Sequence, residues 1–544
     1  MIKKYIWDLK TEFRGYNGKA LSADIMAGLT VAAVALPLAL AFGVSSGADA
    51  ASGLITAIFA GIFIGFLGGA SYQISGPTGA MATILVSLSA QYGMGGVLTA
   101  GLLAGIVIII AAVLKAGKLV SFIPQPVITG FTSGIAIIIA LGQIDNFFGT
   151  HSEGADAIRK LISYTQLGFS PDLWTRIFGI IVVLIIVIYP KKLQSIIPSS
   201  LASLVIVLII NMVMFKTPVV KEVGDIPKTL ITKNSLLFTG IPVSQINHLI
   251  LPAVSIAILG MIESLLCGAS AGKMKHEKLD ATRELMAQGI GNIIIPLFGG
   301  IPATAAIART SVAIKAGGRT RLVSVFHSIT LILSMFLLGS VMGRIPLSAL
   351  AGVLMVTAWR MNDWEAIKRI FKNKIKTSIG MFLVTMCATV VFDLTIAIAV
   401  GVIFAMVFFV IKSTHLRVSI SRVDPNRLIG KGINGNHKNT LVVYMSGPMF
   451  FGTQEILTKA LYEAGEYDAV IFSMLGVPTI DQSAIIEMED LVNEFRDSQI
   501  RPMFCGVQQH VMDMMIRDGF VESVGDECFV WDTIEALKYL ETNK

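Results

Sequence analysis

Two stretches of this chain interrupt a long apolar run in the same way. One is Gly68-Gly69-Ala70-Ser71-Tyr72-Gln73-Ile74-Ser75-Gly76-Pro77-Thr78-Gly79-Ala80; the other is Gly299-Gly300-Ile301-Pro302-Ala303-Thr304-Ala305-Ala306-Ile307-Ala308-Arg309-Thr310. Each opens on a Gly-Gly pair and is predicted to restart as a helix at a proline, Pro77 or Pro302, followed by small residues. In the first, Ser75 or Gly76 suits the cap of the restarting helix. Broken apolar helices at matching positions in two halves of a membrane chain point to a site near the bilayer midplane. A helix that begins there aims unpaired N–H groups and the positive end of its dipole at its surroundings, which favours an anion. Irregular backbone at that depth survives only inside protein or along a cavity. The extended-prone Tyr72-Gln73-Ile74 and its counterpart are therefore expected to pair as a short crossed strand.

Composition agrees with a membrane chain. Of 544 residues, 54% are hydrophobic and 15% charged, against about 25% charged in soluble domains. Runs of about twenty apolar residues recur from Ala27 to Ile411. Met1-Ile2-Lys3-Lys4 has neither the apolar core nor the cleavage site of a signal peptide, so insertion through the chain's own spans is expected. The net charge of +7 reports loop topology rather than nucleic-acid binding. Cys267, Cys387, Cys505 and Cys528 have no metal-like or disulfide-like spacing and read as reduced thiols.

The pattern predicts about fourteen spans. The first seven cover 23–42, 51–69, 77–90, 96–114, 122–142, 173–190 and 199–215. The second seven cover 247–268, 280–298, 303–315, 321–341, 346–358, 376–391 and 394–412. The third and tenth are too short to cross alone. Basic residues gather at alternate ends: Lys3 to Lys19, Lys115 and Lys118, Lys191 and Lys192, Lys273 to Lys278, Lys315 to Arg321, and Arg360 to Lys376. The positive-inside rule makes that side cytoplasmic. The halves also share Pro124 with Gly130 and Pro346 with Gly352, each pair at one spacing. A repeated unit with an odd number of spans inserts upside down the second time, giving an inverted 7+7 repeat. From about residue 438 the chain reads as soluble α/β, with strands at 440–444, 469–474 and 503–507 and helices at 454–463, 483–496 and 533–540. The expected organisation is a cytoplasmic segment 1–22, a transmembrane domain 23–415, a linker 416–437 and a cytoplasmic domain 438–544.

Arg309 falls six residues into the second restarted helix, about 9 Å from its start. An arginine there adds charge and a bidentate fork to an anion site, or pairs with a buried acid. Glu263 is the main intramembrane acid, suited to a proton-binding coupling role or to pairing with Arg309. Asp24 and Asp393 lie near span ends and are expected at the interface, and His327 as a packing residue.

Asp24-Ile25-Met26-Ala27-Gly28-Leu29-Thr30-Val31 with Leu36-Pro37, Ser75-Gly76-Pro77-Thr78, and Ala306-Ile307-Ala308-Arg309-Thr310 resemble the signatures of SulP anion transporters, and the tail resembles their STAS domain. The resemblance implies fourteen transmembrane helices in an inverted repeat with core and gate subdomains, elevator-like alternating access and a homodimer. It implies that the anion sits between the third and tenth helix starts, lined by Leu38, Phe42, Thr78, Ala308 and Arg309, with Gly76, Pro77, Gly79, Ala305 and Ala306 forming the starts themselves. It also makes Glu263 the coupling acid. Sodium-coupled relatives tend to carry Asp there and a hydroxyl one turn later. Here that later position is Cys267, a poor ligand for a hard cation, which favours protons over sodium. In the tail, Gln482 follows Asp481 where related signalling domains carry a phosphorylatable Ser, and Ser483 is expected to cap the next helix.

The expectation is a proton-coupled secondary transporter of a small inorganic anion of sulfate type in the inner (plasma) membrane, embedded in lipid, without cofactor or metal. Alternatives are sodium-driven bicarbonate uptake, dicarboxylate transport, or an anion sensor signalling through the tail. No nucleophile–base pair suggests an enzyme.

Overall fold

The computed structural model describes residues 2–542 except 118–122, 155–156, 191, 195–196, 215–218, 393, 414–415, 425–427, 429–432, 434–436 and 451–453. It divides into two compact units, Met1–Ala405 and Met406–Lys544.

The first unit is helical. A short helix α1 (Ile2–Glu12) precedes α2 (Gly18–Ser45) and α3 (Ala50–Phe59), which runs on through a π-helical turn, Ala60–Ile64, to Leu67. A two-residue strand β1 (Ser75–Gly76) leads into α4 (Gly79–Val113), broken at Gly93, whose φ of 66° only glycine adopts readily. Then come α5 (Gln125–Gly142), α6 (Leu173–Ile188), α7 (Ser199–Met214), α8 (Ile246–Lys275) and α9 (Ala281–Leu297). Strand β2 (Thr304–Ala305) precedes the nine-residue α10 (Ile307–Lys315). The series closes with α11 (Leu322–Met342), α12 (Leu347–Met361), α13 (Lys376–Val391) and α14 (Leu394–Ser413), whose last turns belong to the second unit. Among the described residues six helices are long and apolar enough to cross a membrane, and four shorter ones are apolar.

Lipid tails give apolar helices no hydrophobic reason to associate, so small residues that let backbones touch do that work. An added Cβ on Gly105 of α4 would lie 2.7 Å from the Gly289 carbonyl of α9, and one on Gly289 would lie 2.8 Å from the Gly105 carbonyl. The repeated Pro/Gly pairs behave alike. Pro124 and Pro346 each cap their helix. Gly130 lies against the Phe382 carbonyl of α13, and Gly352 against the Gly179 carbonyl of α6.

Helix α1 is held by charge. Lys4 pairs with Asp280 at 2.6 Å, Asp8 with Arg283, and Glu12 with Arg321 at 2.8 Å. The Tyr5 ring lies 5.5 Å from both the Arg283 and Arg321 guanidinium carbons. This helix therefore clasps the start of α9, the start of α11 and, through Tyr5 to the Phe66 carbonyl, the end of α3.

The second unit is a five-stranded sheet in the order β3 (Arg417–Arg422), β4 (Thr440–Ser446), β5 (Ala469–Gly476), β6 (Arg501–Cys505) and β7 (Phe529–Val530). β3 pairs antiparallel with β4, and the other pairs are parallel. Helices Gln454–Glu463, Gln482–Asp497 and Thr533–Thr542 match the sequence reading. Strand β3 departs from it, since Arg417–Arg422 lies in the segment expected as linker yet pairs with β4. Much of the Asp424–Lys438 part of that linker lies outside the described residues.

Candidate functional site

The two broken segments meet. β1 pairs antiparallel with β2, Ser75 opposite Ala305 and Gly76 opposite Thr304. Beyond the pair, Ala306 N donates to the Ile74 carbonyl at 2.9 Å, and Ile74 N donates to Thr310 Oγ1 at 3.0 Å. The two short strands thus fix the starts of α4 and α10 beside one another.

Both starts fall later than the sequence suggested. Thr78 caps α4 by accepting from Met81 N, so Pro77, Gly76 and Ser75 are extended backbone ahead of the cap. The second helix begins at Ile307, with Ala306 as its cap residue, and not next to Pro302. Residues 301–306 are extended because their backbone is held by neighbouring helices. Arg309 is therefore the third helical residue, in the first turn, not a turn and a half along. The glycine pairs also differ in purpose. Gly299, at φ 84°, ends α9 by donating to the Pro296 carbonyl. A Cβ on Gly69 would strike the Asp280 carbonyl at 2.2 Å.

A polar frame holds the extended segments. Ser264 Oγ of α8 lies 2.9 Å from Thr304 Oγ1 and accepts from Ala305 N at 3.3 Å. Gln73 Nε2 donates to the Ser264 carbonyl at 2.7 Å. From α9, Gln288 Nε2 donates to Ser75 Oγ at 3.0 Å, and Asn292 closes a two-bond ring with Ala303, at 2.8 and 2.9 Å. Glu284 Oε2 accepts from Gly69 N at 2.9 Å. Sequence reasoning missed these residues. Their signal was present: Glu284, Gln288 and Asn292 recur every fourth position inside an apolar helix, one polar stripe on one face.

Arg309 is 1% exposed. Its Nη2 donates to the Pro77 carbonyl at 2.9 Å, while Nε and Nη1 have no partner among the described residues. Among the described residues it makes no ion pair, so pairing with Glu263 is not the arrangement found. Nη1 fills the space a side chain at residue 76 would need, since a Cβ there would lie 2.2 Å away. Glu263 is half-buried and accepts from Thr78 Oγ1 at 2.8 Å, which ties α8 to the cap of α4. Cys267, one turn on, donates to Thr310 Oγ1 at 3.4 Å. Phe42 and Leu38 are buried one turn apart on α2, and Phe42 Cε1 stands beside Gly79. Ala308 is exposed at the α10 start, and none of the contacts above reaches it.

Asp24, expected near a span end, is enclosed by protein. It is fully buried and accepts from Arg319 N, Thr320 N, Thr320 Oγ1 and Tyr16 OH, tying the turn before α11 to α2. Burial and the neighbouring Asp24 push the Tyr16 phenol up to about 12, so it keeps the proton it donates. Asp393 lies outside the described residues. His327 is buried in α11, and neither ring nitrogen has a hydrogen-bond partner among the described residues. Among the described residues no cluster of His, Cys, Asp or Glu could hold a metal ion.

The profile of the Sulfate permease family matches residues 21–387, which includes both broken helices. The chain belongs to the sulfate permease family. That of the STAS domain matches residues 434–536. The chain is 32% identical over 531 residues to YvdB of Bacillus subtilis, provisionally named a sulfate transporter, covering 95% of this chain and 97% of that one. It is 31% identical over 507 residues to the bicarbonate transporter BicA of Picosynechococcus, covering 90% and 88%. The transmembrane domain of a cyanobacterial BicA superposes with a TM-score of 0.64 at 30% identity, over 72% of this chain and 98% of that one. Murine Slc26a9, an anion transporter in an inward-facing state, shares the fold over 98% of this chain and 93% of that one, with a TM-score of 0.85 at 17% identity. The matched family and relatives are transporters, not enzymes. The chain is thus a multi-pass membrane anion transporter with a C-terminal STAS domain.

In that STAS domain the cap of the Gln482–Asp497 helix is Asp481, which accepts from Ala484 N at 2.9 Å, and not Ser483. A carboxylate outcompetes a hydroxyl at a helix N-terminus by adding charge against the dipole. Gln482 donates to Asp518 at 2.9 Å.

Proposed function

We propose that this protein is a secondary transporter that carries a small inorganic anion of sulfate type across the plasma (inner) membrane together with a proton. The observation that carries the reading is the Arg309 guanidinium. It is buried at the meeting point of two helix starts, tethered to Pro77 by one nitrogen, with Nε and Nη1 turned to no acceptor among the described residues. A buried cation without a counter-charge is costly, so a site that retains one is built for an anion that arrives from outside. The anion would sit against the first turns of α4 and α10, near Leu38, Phe42 and Thr78 and over Ala308. Gly76, Pro77, Gly79, Ala305 and Ala306 would supply close backbone.

Glu263 is the coupling residue in this reading. Its carboxylate is hydrogen-bonded to the residue that caps α4, so a proton on Glu263 and an anion at the helix start stabilise each other. Together they cancel charge and let the loaded core cross by an elevator-like movement. Fourteen spans in two inverted sets of seven, domains bounded at 22, 415 and 437, a homodimer, and a cytoplasmic N-terminus and tail complete the proposal.

The test is uptake by purified protein in liposomes, over sulfate, bicarbonate, chloride and dicarboxylates, under separately imposed pH and sodium gradients. Uptake of a small anion driven by the pH gradient and lost in Arg309→Gln is expected. Uptake indifferent to the pH gradient would remove Glu263 from coupling. Sodium-driven bicarbonate uptake is the second reading, favoured by the two bicarbonate relatives. The Cys267 thiol, engaged with Thr310, speaks against a sodium ligand at that position.

A further inference from the structure

The basic run from Arg360 to Lys376 takes no part in the anion site. It is carried by a nine-residue helix, Trp364–Lys372, that joins α12, ending at Met361, to α13, beginning at Lys376. Asp363 caps this helix by accepting from Ala366 N at 3.0 Å. Asn362-Asp363 on one side and Asn373-Lys374-Ile375 on the other are its whole connection to the two apolar helices. Linkers that short reach no more than about 10 Å. The helix therefore stays at the bilayer surface where α12 and α13 enter, within reach of the headgroup layer.

Its two faces suit that depth. Trp364, Ile367 and Phe371 share one side, and Glu365, Lys368, Arg369 and Lys372 the other. The helix packs on α5 and α13, where the Phe371 ring meets the buried Phe382 edge-on at 5.6 Å. At its start the Trp364 ring lies against Trp359, centres 4.4 Å apart, and Nε1 donates to the Trp359 carbonyl at 3.1 Å. Trp359 is 65% exposed in the last turn of α12, so the pair carries that helix's lipid-facing side up to the interface, where tryptophan is at home. Lys368, Arg369, Lys372, Lys374 and Lys376 are all exposed, and none makes an ion pair or side-chain hydrogen bond among the described residues. The two acids of the segment, Asp363 and Glu365, stand at the helix start, one as its cap and one against its dipole. Five free cations beside an aromatic pair, held at the level of lipid phosphates, are complementary to a negative leaflet surface.

We propose that the Trp364–Lys372 helix is a docking surface for anionic phospholipid of the surrounding leaflet: the tryptophan pair sets its depth, and Lys368, Arg369 and Lys372, with Lys374 and Lys376, gather the lipid phosphates. Each cation near an anionic leaflet favours it by about fivefold. The surface is independent of which anion is carried and of what drives it. Full-length protein is reconstituted in phosphatidylcholine nanodiscs that hold a minor fraction of either phosphatidylglycerol or phosphatidylcholine bearing a diazirine at the top of one acyl chain. After illumination, cross-links are mapped by mass spectrometry of peptic peptides and normalised to the labelling of the whole protein. The phosphatidylglycerol probe labels the peptides spanning 359–376 about tenfold more than the phosphatidylcholine probe. That advantage is lost when Lys368→Gln, Arg369→Gln and Lys372→Gln are combined, and kept when Lys368→Arg, Arg369→Lys and Lys372→Arg are combined. Retention in the second variant separates loss of charge from loss of fold. Equal labelling by the two probes, or an advantage untouched by the three glutamines, overturns the proposal. Displacement of the probe by excess sn-glycerol 3-phosphate also overturns it, since the stripe would then be taking a soluble phosphoester rather than leaflet lipid.

Discussion

The finest constraint in this molecule is one missing methyl group. At residue 76 the space of a side chain belongs to Arg309 Nη1. Gly76→Ala would force the guanidinium off the Pro77 carbonyl or push the β1–β2 pair apart. A charge-assisted contact of this kind is worth about 1.5–3 kcal/mol, so anion affinity should fall about ten- to a hundredfold. Calorimetric titration of the purified variant measures it. Arg309→Lys should lose a comparable amount, because an ammonium cannot hold the carbonyl and present two further nitrogens in one plane. Unchanged affinity in Gly76→Ala would mean that the guanidinium does not work from this position. Sequence pattern identified Gly76 and Arg309 separately, but their mutual exclusion of space needs coordinates. The later start of α10 was hidden for a related reason. Ala303 and Ala305 have good helix propensity, and it takes Asn292 and Ser264 from other helices, with the β1–β2 pairing, to hold them extended.

At the scale of elements, α9 is the template on which the broken segments are folded. Glu284, Gln288 and Asn292 project one polar stripe that reaches Gly69, Ser75 and Ala303 in turn. Asn292 matters most, since it satisfies both the N–H and the carbonyl of Ala303 in a buried place. Asn292→Leu keeps the volume and leaves two backbone groups unpaired, at about 1–3 kcal/mol each. Thermal unfolding in detergent should register a loss of several degrees, and anion binding should weaken further than stability alone accounts for, because β2 sets the start of α10. A variant as stable as the parent would show that β1 alone orders the segment. The helices themselves were legible, since long apolar runs between charged ends have few other solutions in lipid. The tether of α1 was not: Lys4, Asp8 and Glu12 look like a solvated charge run until Asp280, Arg283 and Arg321 are seen opposite them.

At the scale of the whole molecule, the division between membrane unit and tail decides how the two can be separated. The inner strands of the tail, Thr440–Ser446 and Ala469–Gly476, are buried and declare themselves as apolar runs. Strand β3 does not, because Arg417-Val418-Ser419-Ile420-Ser421-Arg422 is a half-exposed edge strand whose outward polar residues read as loop. Yet it pairs along its whole length with β4. A cut at 437, where the sequence places the domain boundary, would strand β3 on the membrane unit and bare the β4 edge on the tail. A cut at 415 keeps the sheet whole. Expressed alone, residues 416–544 should therefore be monomeric and unfold cooperatively, whereas 438–544 should associate through the exposed β4 edge and melt at lower temperature. Size-exclusion chromatography with light scattering, followed by thermal melts, compares the two fragments. If 438–544 matched 416–544 in both, the β3–β4 ladder would contribute nothing to the tail. The same boundary governs transport assays, since only the 1–415 fragment isolates the membrane unit without an orphaned strand. Persistent anion uptake by that fragment would show that transport does not depend on the tail.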